Sequence, residues 1–297
     1  MTQNRISVFF ALSFLVSTTL LFLSYTENDK PNVLRQNVTA VNLNREFAFA
    51  GETLPINDDT RERLDKELSV NAYLQSTTLL NLKRAARYFP EVERILKENE
   101  IPEDFKYLAI AESGLRNVTS SASAKGYWQF MLPAAKEMGL EVTEEVDERM
   151  HIEKSTKAAC AYLNKLYKRF GSWTNAAAAY NMGAGGLAKY IAEQKESDYY
   201  HLHLNEETSR YVFRIIAIKD IMSNPETYGY FLEQDHYYQP HQKLKQIQIS
   251  HTIPNLVDFA KQQKTTLRML KYYNPWLTGS QLTVKAGKMY SILIPDV

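Results

Sequence analysis

The chain has 297 residues, which is enough for one or two domains. A formal net charge of +1 gives no bulk electrostatic reason to expect a nucleic acid or another strongly charged partner. Cys160 is the single cysteine, which excludes an intramolecular disulfide and a metal site made of cysteines. Its helical surroundings predict a small buried side chain.

The N-terminal stretch from residue 6 to residue 23 contains no charged side chain. Its length and composition are typical of a signal peptide or of a short membrane anchor. Both alternatives stay open, because no clear small-residue cleavage site follows the stretch. We assign residues 1–26 to it and expect the rest of the chain to be exported, with residues 6–25 as the anchor if they are retained.

The central part of the chain has the pattern of an α-helical globule. Residues 27–59 are Asn-rich and contain two prolines, which predicts poor order. Over residues 60–223, apolar side chains recur at helical spacing almost throughout. Gly114 and Gly171 stand where two of the helices should end. The predicted helices span residues 60–74, 76–88, 91–99, 103–113, 133–138, 154–170, 174–181, 185–195 and 206–223.

Residues 246–297 have a different pattern. The stretches "KQIQISHT" and "MYSILIPD" alternate as strands do, and two short helices are predicted between them. This order predicts a small βααβ module. Residues 224–245, rich in aromatic side chains, form either a linker or a packed strap between the two units. The expected fold class is therefore mainly α, with a small C-terminal βααβ module.

Glu112 interrupts the apolar stripe of the helix predicted over residues 103–113. It lies seven residues after Phe105 and falls on the same helix face. Loss of hydration there would raise the pKa of its carboxyl and keep it protonated near neutral pH, as a general acid requires. The helix alone leaves a second alternative open, in which Glu112 lies at the edge of the stripe and is solvated or salt-bridged.

Three further stretches carry side chains that suit a sugar-binding groove. Gly126 permits close backbone approach, and Tyr127 and Gln129 after it offer a stacking surface and an amide; Trp128 between them favours a core position. An alanine-rich helix ends in Tyr180 and Asn181. Glu207 and Tyr211, four residues apart, share one face of the helix predicted over residues 206–223.

Taken together, these stretches resemble a known family. Glu112 with Ser113, residues 126–129, residues 179–181 and residues 207–212 occur in the order found in the soluble-lytic-transglycosylase domain. This is the family 1 lytic murein transglycosylase domain, which has a goose-lysozyme-like α fold. The overall layout is most similar to the membrane-bound lytic murein transglycosylase D group. The resemblance covers about residues 60–230.

The resemblance implies the roles of the site residues. Glu112 is expected to be the single catalytic acid and base, with no metal and no cofactor, and with Tyr180 and Gln129 within its reach. The chain departs from the family at Ser123, where glycine is usual, and at Pro133, which comes one place late; neither change removes a chemical group. The residues expected to contact or orient the glycan are Ser113, Gln129, Met131, Tyr180, Asn181, Glu207 and Tyr211.

The resemblance also implies the activity and the partner. The expected reaction cleaves the bond between N-acetylmuramic acid and N-acetylglucosamine in peptidoglycan without water and leaves a 1,6-anhydro end. The expected location is the periplasm or cell envelope. A hydrolytic muramidase and a non-catalytic cell-wall binder remain as alternatives. Residues 246–297 resemble a LysM module with an altered first loop at residues 251–256, which leaves its sugar binding open.

Overall fold

The structure is a computed structural model that describes residues 39–296. The predictions for residues 1–26, and for the first part of residues 27–59, lie outside this range. No helix within the described range is long and apolar enough to cross a bilayer. The helices are α1 Asp58–Tyr73, α2 Gln75–Glu98, α3 Phe105–Ser113, α4 Leu132–Glu137, α5 Ile152–Phe170, α6 Trp173–Met182, α7 Ala184–Gln194, α8 Glu206–Ser223, α9 Leu256–Gln262 and α10 Leu267–Tyr273. The strands are β1 Ala48–Phe49, β2 Glu52–Thr53, β3 Leu244–Ile249 and β4 Tyr290–Pro295.

Helix α8 lies at the centre of the helical domain and positions the elements of the site. Its middle is mostly apolar, and Val212, Phe213 and Ile215 are fully buried. The helix packs against α1, α3 and α6. Four consecutive buried alanines, residues 176–179, let α6 approach closely. The ends of α3 and α6 are thereby brought to the same side of α8.

The two predicted stop signals act as expected, and α1 has a start signal that the sequence analysis did not name. Asn57 caps α1, where its side chain accepts a hydrogen bond from the Thr60 amide and the Thr60 hydroxyl accepts one from the Asn57 amide. Gly114, with φ of 60°, and Gly171, with φ of 76°, end α3 and α5 in the left-handed conformation. Cys160 on α5 is fully buried, in agreement with its predicted role.

Helix α2 differs from the prediction of two helices separated near residue 90. It runs without a break from Gln75 to Glu98 with Pro90 inside it. Proline removes one hydrogen bond from a helix interior and normally ends or kinks the helix. Here the turns on both sides bury apolar side chains in one core, Leu82 before the proline and Val92 and Ile95 after it. Tertiary packing therefore outweighs the local cost.

The segment before α1 also differs from the predicted poor order over residues 27–59. Strands β1 and β2 form a short antiparallel hairpin whose Phe49 is fully buried, edge-on to Phe105 with ring centroids 5.0 Å apart. The Glu52 carboxylate accepts hydrogen bonds of 2.6 and 2.8 Å from the amides of Trp173 and Thr174 at the start of α6. A carboxylate at a helix N-terminus is favourable because the free N–H groups and the helix dipole attract it.

The C-terminal part confirms the βααβ prediction. Strands β3 and β4 pair antiparallel from Leu244 opposite Pro295 to Ile249 opposite Tyr290. Helices α9 and α10, which come between the two strands in the sequence, pack against each other. The module has a small core that is separate from the core of the helical domain. Its buried residues are Val146, Ile249, Ile253, Leu256, Phe259, Ala260, Leu270, Trp276, Leu277, Leu282, Tyr290, Ile292 and Ile294.

Residues 224–245 form a packed strap, the second of the two predicted alternatives. Tyr230 is buried and its hydroxyl donates a 2.6 Å hydrogen bond to the carbonyl of Ala72 at the end of α1. The amide of Tyr238 donates to the carbonyl of Lys83 on α2 at 3.1 Å. The strap is therefore held against the helical domain along its length.

Candidate active site

The site centres on Glu112, in the last turn of α3, and on Tyr211 in α8. The Tyr211 hydroxyl donates a hydrogen bond to Oε1 of Glu112. Tyr211 is only 4% exposed, whereas Glu112 retains part of its accessible surface. The carboxyl of Glu112 therefore has one oxygen held by the protein and does not project into open solvent.

Burial raises the pKa of Glu112 to about 7. The loss of hydration is the largest cause, because it disfavours the charged carboxylate. The hydrogen bond from Tyr211 and the positive charge of Arg214 act in the opposite direction, and the charge of Glu207 adds to the increase. A carboxyl with this pKa exists in both protonation states at neutral pH, as an acid that must also serve as a base requires. The raised pKa agrees with the prediction.

Arg214 is a member of the site that the sequence analysis did not single out. It lies three residues after Tyr211 and seven after Glu207, so all three share one face of α8. Its side chain is exposed, and within residues 39–296 it forms no hydrogen bond or ion pair. The same helical spacing that pairs Glu207 with Tyr211 was the available signal for it.

The active-site turn, residues 123–130, is folded tightly. Gly126 has φ of 83°, and a Cβ on it would lie 1.8 Å from the carbonyl oxygen of Arg149. Only glycine fits such a position. Gln129 donates from Nε2 to the carbonyls of Val118 at 3.0 Å and Gly126 at 2.7 Å. The Gln129 amide nitrogen is thus engaged by the turn itself.

Two other predicted glycan contacts also hold this turn. Ser113 is buried, and its hydroxyl donates to the carbonyl of Tyr127 at 2.7 Å. The Tyr180 hydroxyl donates to the carbonyl of Trp128 at 2.7 Å. Tyr180 is near enough to Glu112 for that carboxylate to contribute to its raised pKa, after burial. These two hydroxyls fix the turn beside Glu112, and Trp128 itself is fully buried.

Asn181 and Glu207 form a second polar pair at the end of α6. Asn181 donates from Nδ2 to Oε1 of Glu207 at 3.0 Å and accepts from the Thr208 hydroxyl at 2.7 Å. Glu207 is exposed, and Met131, which precedes α4, is 46% exposed. Both side chains are therefore accessible to a ligand.

One cluster of side chains of the metal-ligating types lies away from this site. Within residues 39–296, one group of His and carboxylate side chains has its ligand atoms within 4.8 Å of one another. Its members are Glu233, Asp235 and His236, all exposed on the strap. None of them belongs to the site around Glu112.

Comparison with known families bears directly on this arrangement. Residues 91–203 match the family described as the transglycosylase SLT domain, a range that includes Glu112, the active-site turn and Asn181. Residues 245–297 match the soluble lytic transglycosylase C-terminal LysM-like domain. Both resemblances stated from the sequence are confirmed, while α8, with Glu207, Tyr211 and Arg214, lies beyond the first matched range.

Individual relatives extend the similarity to α8. The chain is 31% identical over 259 residues to the membrane-bound lytic murein transglycosylase D of Escherichia coli (strain K12), covering 84% of this chain. The protein of the same name from Escherichia coli O6:H1 gives the same values. The chain spans 55% of the length of these curated relatives. The crystal structure of the 70 kDa soluble lytic transglycosylase Slt70 from Escherichia coli aligns with a TM-score of 0.41 and 18% identity, over 62% of this chain and 36% of that one.

Proposed function

We propose that this chain is a peptidoglycan lytic transglycosylase in which Glu112 acts first as the acid and then as the base. The observation that carries the proposal is a single half-desolvated carboxyl with a pKa of about 7, held through one oxygen by Tyr211. The SLT domain match and the identity to lytic murein transglycosylase D support the substrate class. We propose that the catalytic domain comprises residues 60–223, together with the hairpin of β1 and β2 that precedes α1.

The proposed reaction needs only one catalytic carboxyl. Protonated Glu112 gives its proton to the oxygen between C1 of N-acetylmuramic acid and C4 of N-acetylglucosamine, and the C1–O bond breaks. The acetamide of the substrate stabilises the positive charge that develops at C1. Glu112, now a carboxylate, takes the proton of the muramoyl 6-hydroxyl, whose oxygen bonds to C1. The product is a 1,6-anhydro end, and no water is consumed.

The other predicted residues support this chemistry in two ways. Tyr211 keeps the Glu112 carboxyl oriented, and as a donor it stabilises the carboxylate left after the first proton transfer. Glu207 and Asn181, which bind each other, are proposed to contact the sugar together, with Met131 as an accessible apolar surface. Ser113, Gln129 and Tyr180 are proposed to shape the groove by holding the active-site turn through the hydrogen bonds that they donate.

The test is the digestion of purified peptidoglycan by the wild-type protein and by the Glu112→Gln variant. Glutamine has the same shape and still accepts the hydrogen bond from Tyr211, but it cannot transfer a proton. We expect a loss of about three orders of magnitude or more in product release. Glu144→Gln is the matched control, because Glu144 is exposed and its side chain has no partner within the described residues. Substantial cleavage by the Glu112→Gln variant would refute the proposal.

Hydrolysis is the second candidate, and one observation favours it. The Glu207 carboxylate is near enough to raise the pKa of Glu112, and paired carboxylates are usual in hydrolytic glycosidases. Mass spectrometry of the released muropeptides distinguishes the two reactions, since an anhydro end is lighter than a reducing end by one water. Binding to peptidoglycan without any release of products would identify a non-catalytic binder. We propose a location in the cell envelope, with residues 6–25 as the anchor if they are not removed.

A further inference from the structure

A loop of the helical domain is built into the C-terminal module. The loop, residues 141–151, connects α4 to α5 and is called the docking loop below. Its Val146 is only 2% exposed, and its neighbours there are the core side chains of the module. Val146 forms an antiparallel bridge with Leu277, and the amide of Asp147 donates to the carbonyl of Trp276 at 2.9 Å. The module's core is therefore completed by a side chain that belongs to the helical domain.

Two carboxylates of the docking loop bind the module. The Glu141 carboxylate accepts hydrogen bonds from Lys288 and from the Tyr290 hydroxyl. Glu145 makes the larger number of contacts. Its main-chain carbonyl accepts hydrogen bonds from the amides of Thr278 at 2.9 Å and Gly279 at 3.2 Å. Its carboxylate accepts from Gln281 Nε2 and from the Thr283 amide, both at 2.6 Å. A Cβ on Gly279 would lie 3.0 Å from the Cα of Glu145, so the two backbones are in tight contact. Hydrogen bonds to a carboxylate are among the stronger ones in proteins.

The other end of the docking loop holds the active-site turn. Arg149 is 5% exposed and is fixed by Asp147, whose carboxylate accepts from its Nε at 2.9 Å and from its Nη2 at 2.7 Å. Arg149 Nη1 donates to the carbonyls of Phe130 at 3.2 Å and Ser123 at 3.4 Å. These two carbonyls are the two ends of the active-site turn, and the Arg149 carbonyl lies against Gly126 in its middle.

We propose that the C-terminal module braces the active-site turn, with Glu145 and Arg149 as the positioning residues that connect them. Glu145 fixes the docking loop to the module, Arg149 fixes the turn to the docking loop, and the turn is held beside Glu112 through Ser113 and Tyr180. The kinetic consequence rests on the function proposed above, whereas the mechanical connection does not. A module that served only as a sugar-binding attachment would need none of these contacts.

The contacts of the strap favour a module that is held in place over one that moves on a flexible linker. A tethered module samples space on a flexible linker, whose composition and lack of contacts allow it to move. Here Tyr230 and Tyr238 bind α1 and α2, and the Arg87 side chain of α2 donates to the carbonyl of Gln239 at 3.0 Å and to the Tyr272 hydroxyl of the module at 3.2 Å. The module is thus held from two sides, by the docking loop and by α2.

The experiment uses the full chain with Glu145→Ala and its neighbour Glu144→Ala as the matched control. Both variants remove one carboxylate from the docking loop, but of these two residues only Glu145 binds the module through its side chain. Gly279→Ala disturbs the same contact from the module's side. It provides a second test if Glu145→Ala does not fold. Hydrogen–deuterium exchange is followed over residues 118–130 and 276–283, and kcat and KM are measured on soluble glycan strands.

We expect exchange over residues 118–130 to become about tenfold faster in Glu145→Ala and Gly279→Ala. In both variants kcat should fall while KM stays constant, and Glu144→Ala should match the wild type. Unchanged exchange over residues 118–130 would overturn the proposal, whether or not residues 276–283 loosen. An increase in KM at constant kcat would overturn it as well, because the module would then act by binding glycan. If the wild-type protein released no product, the proposed function would fail while the exchange result would still decide the brace.

Discussion

Substitution of Glu112 should stabilise the protein in a pH-dependent manner. The folded protein holds the pKa of Glu112 at about 7, against an ordinary value of 4.5. The unfolded chain therefore loses this proton more readily, and raising the pH from 4.5 through 7 favours unfolding. Below pH 4.5 the raised pKa contributes its full stabilising effect, and that effect is lost as the pH rises. Glu112→Gln removes the titration and keeps an acceptor for Tyr211.

The size of the effect follows from the difference between the two pKa values. With about 1.4 kcal/mol for each unit of pKa difference, the wild type should lose about 3 kcal/mol relative to Glu112→Gln between pH 4.5 and pH 8.5. For a protein of this size the difference corresponds to a Tm that is roughly 6–12 °C higher for the variant at pH 8.5. Acidic groups elsewhere titrate in both proteins and cancel in the comparison.

The assay is urea denaturation of both proteins at pH 4.5 and pH 8.5, with the slope m compared to confirm that the same unfolding is observed. The free energy of unfolding should be nearly equal in the two proteins at the lower pH and should differ at the higher one. An equal difference at both values of pH would refute the reasoning, since it would show that Glu112 ionises in the folded protein as an ordinary carboxyl does.

Two other predictions concern the site. Tyr211→Phe and Arg214→Gln each remove a group that lowers the pKa of Glu112. The alkaline limb of the pH–rate profile should therefore move to higher pH, by about one pH unit for Tyr211→Phe. A limb that stays in place or moves to lower pH would contradict this. Gly126→Ala should destabilise the fold by more than about 2 kcal/mol in thermal denaturation, because its Cβ would meet a backbone carbonyl. Gly139→Ala is the control, because Gly139 has a similar φ of 80° and open space around it; it should lower the stability by about 1 kcal/mol. Equal losses of stability in the two variants would show that the backbone conformation, and not the close carbonyl, causes the loss at Gly126.

The helices and the central carboxyl could be predicted because they depend on local patterns. Apolar periodicity and cap residues define α5 and α8 within two residues at each end. The departure of Glu112 from an apolar stripe is likewise visible in a few turns of sequence. The contact between Glu112 and Tyr211 needs the packing of α3 on α8, so the sequence could only place both residues among the site candidates.

The remaining features depend on contacts between distant parts of the chain. Strands of two residues, such as β1 and β2, are too short to show any alternation, and the burial of Phe49 depends on Phe105 far along the chain. The orientation of the Gln129 amide depends on where the carbonyls of Val118 and Gly126 lie after the turn has folded. The docking loop joins the helical domain to the C-terminal module. No local periodicity in the sequence indicates that Val146 pairs with Leu277.

The burial of Cys160 has a practical consequence for work on this protein. Desolvation raises the pKa of its thiol to about 12, so about one molecule in ten thousand carries a thiolate at pH 8. Maleimide reagents and disulfide exchange both require the thiolate, so Cys160 in the folded protein should react with them very slowly. A cysteine introduced at an exposed position such as Glu144 would therefore take a fluorophore selectively in an otherwise unaltered protein, directly beside the joint between the helical domain and the module.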